Sequence, residues 1–154
     1  MTEDPSTLVV DGHLSAEALV NAAALPGVLV HRCGHCGSTE HGQPVLVGGP
    51  FVSIARSSMV SVIAWWAEGP VGVDVEIAGA TPPPELTLHP AEEFGDVLAV
   101  WVRKEAVLKA LGTGLRTDPR TIRLSAQHGA ATVTGTDLQV HELHVPGHVA
   151  ALSW

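Results

Sequence analysis

Hydrophobic positions along this chain fall in short runs cut by Gly, Pro and polar turns, with two stretches of helical spacing between them. Leu8–Val10 predicts a short strand. Ser15 is a suitable N-cap for a helix over Ala16–Leu25 with Leu19, Val20 and Ala23 on its inner side, and Pro26-Gly27 stops it. Val28–Arg32 and Val45–Val47 read as strands on either side of the polar loop Cys33–Pro44. Phe51–Ala55, Met59–Trp66 and Val71–Ile77 are β-rich runs separated by short turns, a spacing that predicts an antiparallel meander. Ala78–Pro84 is a Gly/Pro linker, and His89-Pro90 predicts the start of a helical region with Pro90 in its first turn. Asp96 is placed to cap a helix over Val97–Leu111, which Gly112 and Gly114 end. Thr121–Ser125, Ala131–Thr134, Leu138–Val145 and His148–Trp154 supply the remaining β-type runs. The order predicts an α+β chain of helices packed on antiparallel sheet.

Composition narrows the classes. The 154 residues suffice for one domain with a real core, and 45% of them are hydrophobic. No apolar run is long enough to span a bilayer, and the polar start MTEDPST is not a secretory signal, so a cytoplasmic location with no membrane partner is expected. A net charge of −8 argues against nucleic acid as a partner.

The candidate chemistry sits in two places. In Gly72–Glu76 a valine-rich strand carries Asp74 and Glu76 two residues apart, hence on one face. In Trp101–Leu115 an oily helix carries Glu105 and the only two lysines of the chain, Lys104 and Lys109. Glu105 and Lys109, four apart, project from nearly the same side. Acids among apolar neighbours must have their desolvation offset, and one hard cation shared by Asp74, Glu76 and Glu105 does that. Mg2+ is the expected ion, with the lysines as counter-charge for a phosphate. An acid pair on a strand is more commonly a solvated face. Cys33 and Cys36 form half a zinc site that His31, His35 or His41 can complete, whereas a turn with buried thiols is the plainer reading. Of Trp65 and Trp66, neighbours on a strand, at least one is expected in the core.

Gly72-Val-Asp-Val-Glu76 followed by Trp101-Val-Arg-Lys-Glu-Ala-Val-Leu-Lys-Ala-Leu-Gly resembles the 4′-phosphopantetheinyl transferases of the surfactin type. Cys33–Leu46 and Leu88–Glu92 agree with that resemblance, which covers roughly Ser15 to Trp154. It implies a fold of two unequal, pseudo-symmetric α+β halves within a single domain, residues 1–77 and 85–154. It implies transfer of phosphopantetheine from coenzyme A to a serine of an apo acyl or peptidyl carrier protein, with release of 3′,5′-ADP. Asp74, Glu76 and Glu105 then bind Mg2+, Glu105 and Lys109 are catalytic, and Arg56, Ser57, His41, Lys104 and Lys109 hold coenzyme A. A homo-oligomer is compatible, because small members of the superfamily build sites between subunits.

The departures lie on the coenzyme A side. Ser53–Ser57 has Arg56 where the family usually has histidine, and the HG(K/R)P element reads His41-Gly-Gln43-Pro. Arg56 and Arg32 are the candidate replacements for the missing cations. These departures also fit a non-catalytic relative that binds a carrier protein, or an enzyme repurposed for another small phosphate-bearing substrate.

Overall fold

The computed structural model describes residues 3–92, 95–127 and 130–154. Its elements in chain order are β1 (Ser6–Asp11), α1 (Ala16–Ala22), β2 (Val28–Arg32), β3 (Gln43–Val47), β4 (Phe51–Ser57), β5 (Val60–Trp66), β6 (Gly72–Ile77), α2 (Pro84–Thr87), α3 (Val97–Ala110), β7 (Leu124–Gln127), β8 (Ala130–Val133), β9 (Gln139–Leu143) and β10 (His148–Ser153). Two 3-10 turns, Gly114–Arg116 and Pro119–Thr121, join α3 to β7. Every strand pairing is antiparallel, so the expected α+β class holds. No helix among the described residues is long and apolar enough to cross a membrane.

The strands form a sheet ordered β1-β5-β4, a sheet ordered β6-β10-β9-β8-β7, and the hairpin β2-β3. The predicted meander stops at β5. That strand is paired on both edges, by β1 and by β4, and has no edge left for β6. β6 instead pairs with β10 from the far end of the chain, Asp74 opposite Ala151 and Glu76 opposite Val149. Other boundaries moved too: α1 ends at Ala22 rather than Leu25, and β1 and β3 are longer than expected. The helical turn before α3 begins at Pro84, while Pro90 lies in a turn where His89 Nδ1 accepts from the Ala91 amide. Asp118 caps the turn Pro119–Thr121, so β7 starts at Leu124 rather than Thr121.

The strand period explains the core. Val73 and Val75 of β6, with Ala150 and Leu152 of β10, face β4 and β5 and join Ala55, Val62 and Ala64. Val149 and Ala151 face the other way, onto Val102, Ala106 and Val107 of α3. The sheet is therefore packed on both sides near β6, as the apolar composition of α3 requires. A third cluster joins Leu19 and Val20 of α1 to Val52 and Ile63, with Trp65 packed against it, while Trp66 packs against the first.

The caps are as expected. Ser15 accepts from the Ala18 amide, and the Asp96 carboxylate accepts from Leu98 and Ala99. Each cap is worth about 1 kcal/mol. At Gly72 the strand touches the helix directly. A Cβ there would overlap the Ala106 carbonyl and stand 2.5 Å from the Ala110 amide nitrogen. The absent side chain lets β6 lie against α3, and this brings Asp74 within reach of Lys109.

Candidate active site

β6 is an edge strand, and at Val73 its outer edge is satisfied by side chains. The Val73 amide donates to Ser53 Oγ at 3.0 Å, and the Val73 carbonyl accepts from Lys109 Nζ at 2.9 Å. Lys109 Nζ also bonds Asp74 Oδ1 at 2.8 Å. Asp74 is buried, and its Oδ2 has no hydrogen-bond partner among the described residues. A buried polar atom without a partner is uncommon in a native fold.

Asp74, Glu76 and Glu105 sense one another. Burial holds the Asp74 carboxyl above its ordinary range, against the pull of Lys109. Glu76 is raised by burial and then by the Asp74 charge, while Lys109 and a Ser57 hydrogen bond draw it down. Glu105 is raised by burial, then by Asp74 and Glu76, with Lys109 opposing. One ammonium does not balance three carboxylates. Hard oxygen donors, mutual repulsion and an unpartnered Asp74 oxygen together fit a divalent cation of the magnesium class. The three carboxylates are not themselves drawn tight. Among the described residues, the one trio of metal-ligand atoms all within 4.8 Å of one another is Cys33, Cys36 and His41.

The two lysines part company. They are five positions apart, which turns their side chains about 140° apart around the helix. Lys109 faces the acids. Lys104 is fully buried on another side, bonded to the Thr87 carbonyl at 2.8 Å and to Glu92 Oε2 at 2.6 Å. Burial lowers its pKa against the pull of Glu92. Glu92 also accepts from the amides of His89 and Leu124, so this ion pair ties the segment before α3 to α3 and β7. The expected phosphate contact for Lys104 gives way to a structural ion pair, because its ammonium is sealed from solvent. Sequence reading missed Glu92 in that role, although a lysine on the buried face of an oily helix calls for a carboxylate partner.

Beside the acids lies a cavity of about 410 Å³. Arg32, Arg56, Lys109 and Arg116 line it, four of the eight Lys and Arg residues in a chain of net charge −8. Asp74, Glu76 and Glu105 do not line it, and Lys109 is the residue that links cluster and cavity. Arg56 donates through Nε to the Leu14 carbonyl at 2.6 Å, which fixes its guanidinium at the wall. Arg116 is held by the Thr113 and Gly112 carbonyls at the end of α3. Its place in the cavity was not foreseen, since only the fold brings the turn after α3 against the β2–β3 loop. Gln43 lines the cavity as well as a neighbouring one of about 450 Å³. Besides Lys104, two expected contacts lie outside. Ser57 turns to Glu76, and the His41 ring meets Cys36 Sγ at 3.4 Å instead of entering the cavity.

The 4′-phosphopantetheinyl transferase superfamily model matches residues 70–153, more than half of the chain, from just before β6 to the end of β10. The chain belongs to this superfamily. No curated protein matches it. The matched region contains Asp74, Glu76, Glu105 and Lys109, whereas Arg32, Gln43 and Arg56 precede it.

Proposed function

We propose that this protein transfers 4′-phosphopantetheine from coenzyme A to a serine hydroxyl of an apo acyl or peptidyl carrier protein, releasing 3′,5′-ADP. The observation that carries the reading is the concentration of half the chain's cations around one cavity, joined through Lys109 to a cluster of three acids. The cationic lining suits a polyanion with a pyrophosphate, and superfamily membership supports the reaction class. Asp74, Glu76 and Glu105 are the residues to hold magnesium, and when bound that ion supplies a clamp on the pyrophosphate and stabilises charge developing on its oxygens.

The chain's own groups do the rest. Arg56 and Arg116 offer guanidinium donors to phosphate oxygens; Arg56 is tied to the Leu14 carbonyl through Nε, which leaves its two Nη groups for a bidentate contact. Lys109 is positioned to follow charge as it builds on the transferred phosphoryl group, the kind of fixed electrostatic stabilisation that dominates such reactions. Glu105 is the general base for the serine hydroxyl in this reading. The phosphorus–oxygen bond to the 3′,5′-ADP moiety breaks as the serine oxygen bonds to phosphorus, and the serine proton passes to Glu105.

The test is intact-mass spectrometry of a panel of apo carrier proteins incubated with the protein, coenzyme A and magnesium. The expected result is a gain of one phosphopantetheinyl group on at least one carrier, absent with Glu105→Ala. A folded protein that modifies none of them contradicts the reading. A second reading, a non-catalytic or repurposed relative that binds a carrier protein or another phosphate compound, is favoured by Gln43, a neutral residue at the cavity wall.

A further inference from the structure

The loop Cys33–Gly42 between β2 and β3 takes no part in the chemistry above, yet it forms one wall of the cavity through Cys33, Gly34 and Gly42. It contributes nothing to the hydrophobic clusters, and most of its residues are exposed. Something other than apolar packing must order it. Its first half is a tight turn. The Gly37 amide donates to the Cys33 carbonyl at 2.9 Å, Gly37 takes a φ of +73°, and the Cys33 amide donates to the Ser38 carbonyl at 2.9 Å.

This turn sets both thiols on one side, and the return of the chain brings His41 to them. The ligand atoms of Cys33, Cys36 and His41 all lie within 4.8 Å of one another, and Cys36 Sγ stands 3.4 Å from His41 Nε2. A tetrahedral zinc with bonds of about 2.3 Å to sulfur and about 2.0 Å to nitrogen separates those two ligands by about 3.5 Å. Both cysteines are free thiols, and the expected burial is not found: Cys33 is half-buried and Cys36 exposed, because the turn lies on the surface away from the hydrophobic clusters. His31 and His35, equal candidates on spacing, are not in the trio.

We propose that Cys33, Cys36 and His41 bind one zinc-class divalent cation, which pins the β2–β3 loop at the cavity wall. Three protein ligands leave a fourth position, and the exposure of Cys36 and His41 opens it to water. The positive charge of Arg116, whose guanidinium lies against Gly34, complements two thiolates. The role is structural. A cross-link from Cys33 to His41 replaces the missing apolar anchor and holds Gly34 against Arg116 at the end of α3. This site is separate from the acid cluster in position and in donor chemistry, with soft sulfur ligands in place of hard oxygens.

Cobalt(II) titration of the chelator-treated, reduced protein tests the proposal, with magnesium in excess to occupy the acid cluster. The expected result is one equivalent of cobalt with a sulfur-to-cobalt charge-transfer band and the visible bands of tetrahedral geometry, all displaced by zinc. The bands should vanish in the Cys33→Ser/Cys36→Ser double variant, weaken at least tenfold in affinity with His41→Ala, and persist in Glu105→Ala. Absence of the thiolate band from the wild-type titration overturns the site, and so does a band unchanged by His41→Ala. The wild-type titration stands by itself if a cysteine variant fails to fold.

Discussion

Two regions of α3 carry one lysine each, and they teach opposite lessons about the same side chain. Beneath the helix, Lys104 and Glu92 are closed off from water, with side chains 0% and 10% exposed. Above it, Lys109 and Asp74 make an equally direct pair, but the lysine is 28% exposed and borders an open cavity. The first pair has all its neighbours in place: the Thr87 carbonyl, two backbone amides and the helix itself. The second is incomplete, with an unpartnered Asp74 oxygen and two further acids held above their ordinary range. A satisfied buried pair fastens elements together, whereas an unbalanced, accessible cluster is prepared for a ligand.

The largest effect expected from breaking this contrast is on stability. Glu92→Ala strands a buried ammonium and should cost about 3–5 kcal/mol, which corresponds to a Tm fall on the order of 10 °C for a domain of this size. Replacing both partners with apolar residues should recover much of that loss, and thermal denaturation of the three proteins measures it. Next in size, Lys109→Ala should cost less stability than Glu92→Ala but lower kcat for phosphopantetheinyl transfer by about 10²–10³-fold, the scale seen when one transition-state donor is removed. Steady-state kinetics beside a melting curve separates the two roles.

A smaller effect sharpens the contrast through pH. The Glu105 pKa is raised on folding above its ordinary 4.5. A raised value means that the folded state holds the proton more tightly, so the group's stabilising contribution is full below pH 4.5 and is lost as pH climbs through the raised value. In EDTA, Glu105→Gln should therefore raise Tm at pH 7–8, and the gain should disappear towards pH 4. With saturating magnesium at pH 7–8 the sign should reverse, because the carboxylate becomes a ligand. The smallest expected effect is on the cavity wall. Gln43→Arg adds a fifth cation and should lower KM for coenzyme A by up to about tenfold, with little change in kcat.

Much of this was legible in the residues. The caps at Ser15 and Asp96, the strand period of Val73, Asp74, Val75 and Glu76, and the four-residue spacing of Glu105 and Lys109 act over a few residues, and each appears where local pattern placed it. The partner of β6 was not legible, because it depends on β1 having taken the last edge of β5 and on β10 arriving from the end of the chain. The same limit applies to Lys104. Its charge and helical neighbourhood matched those of Lys109, and only the packing of the Thr87–Glu92 segment shows that its ammonium is sealed. Arg116 and His41 depend on loop closures of the same long-range kind. The pseudo-symmetry expected of the halves does not emerge from the sheets, which differ in strand number and order.

The proposed transfer requires the acid cluster and the cationic cavity to form one site. Calorimetric measurement of coenzyme A affinity, with magnesium and in EDTA, for the wild type and Asp74→Asn tests this most directly. Because coupling between two ligands is reciprocal, a single site predicts that magnesium tightens coenzyme A binding at least tenfold in the wild type and hardly at all in Asp74→Asn. Equal affinity for coenzyme A in magnesium and in EDTA would show that cluster and cavity act separately, and would contradict the account.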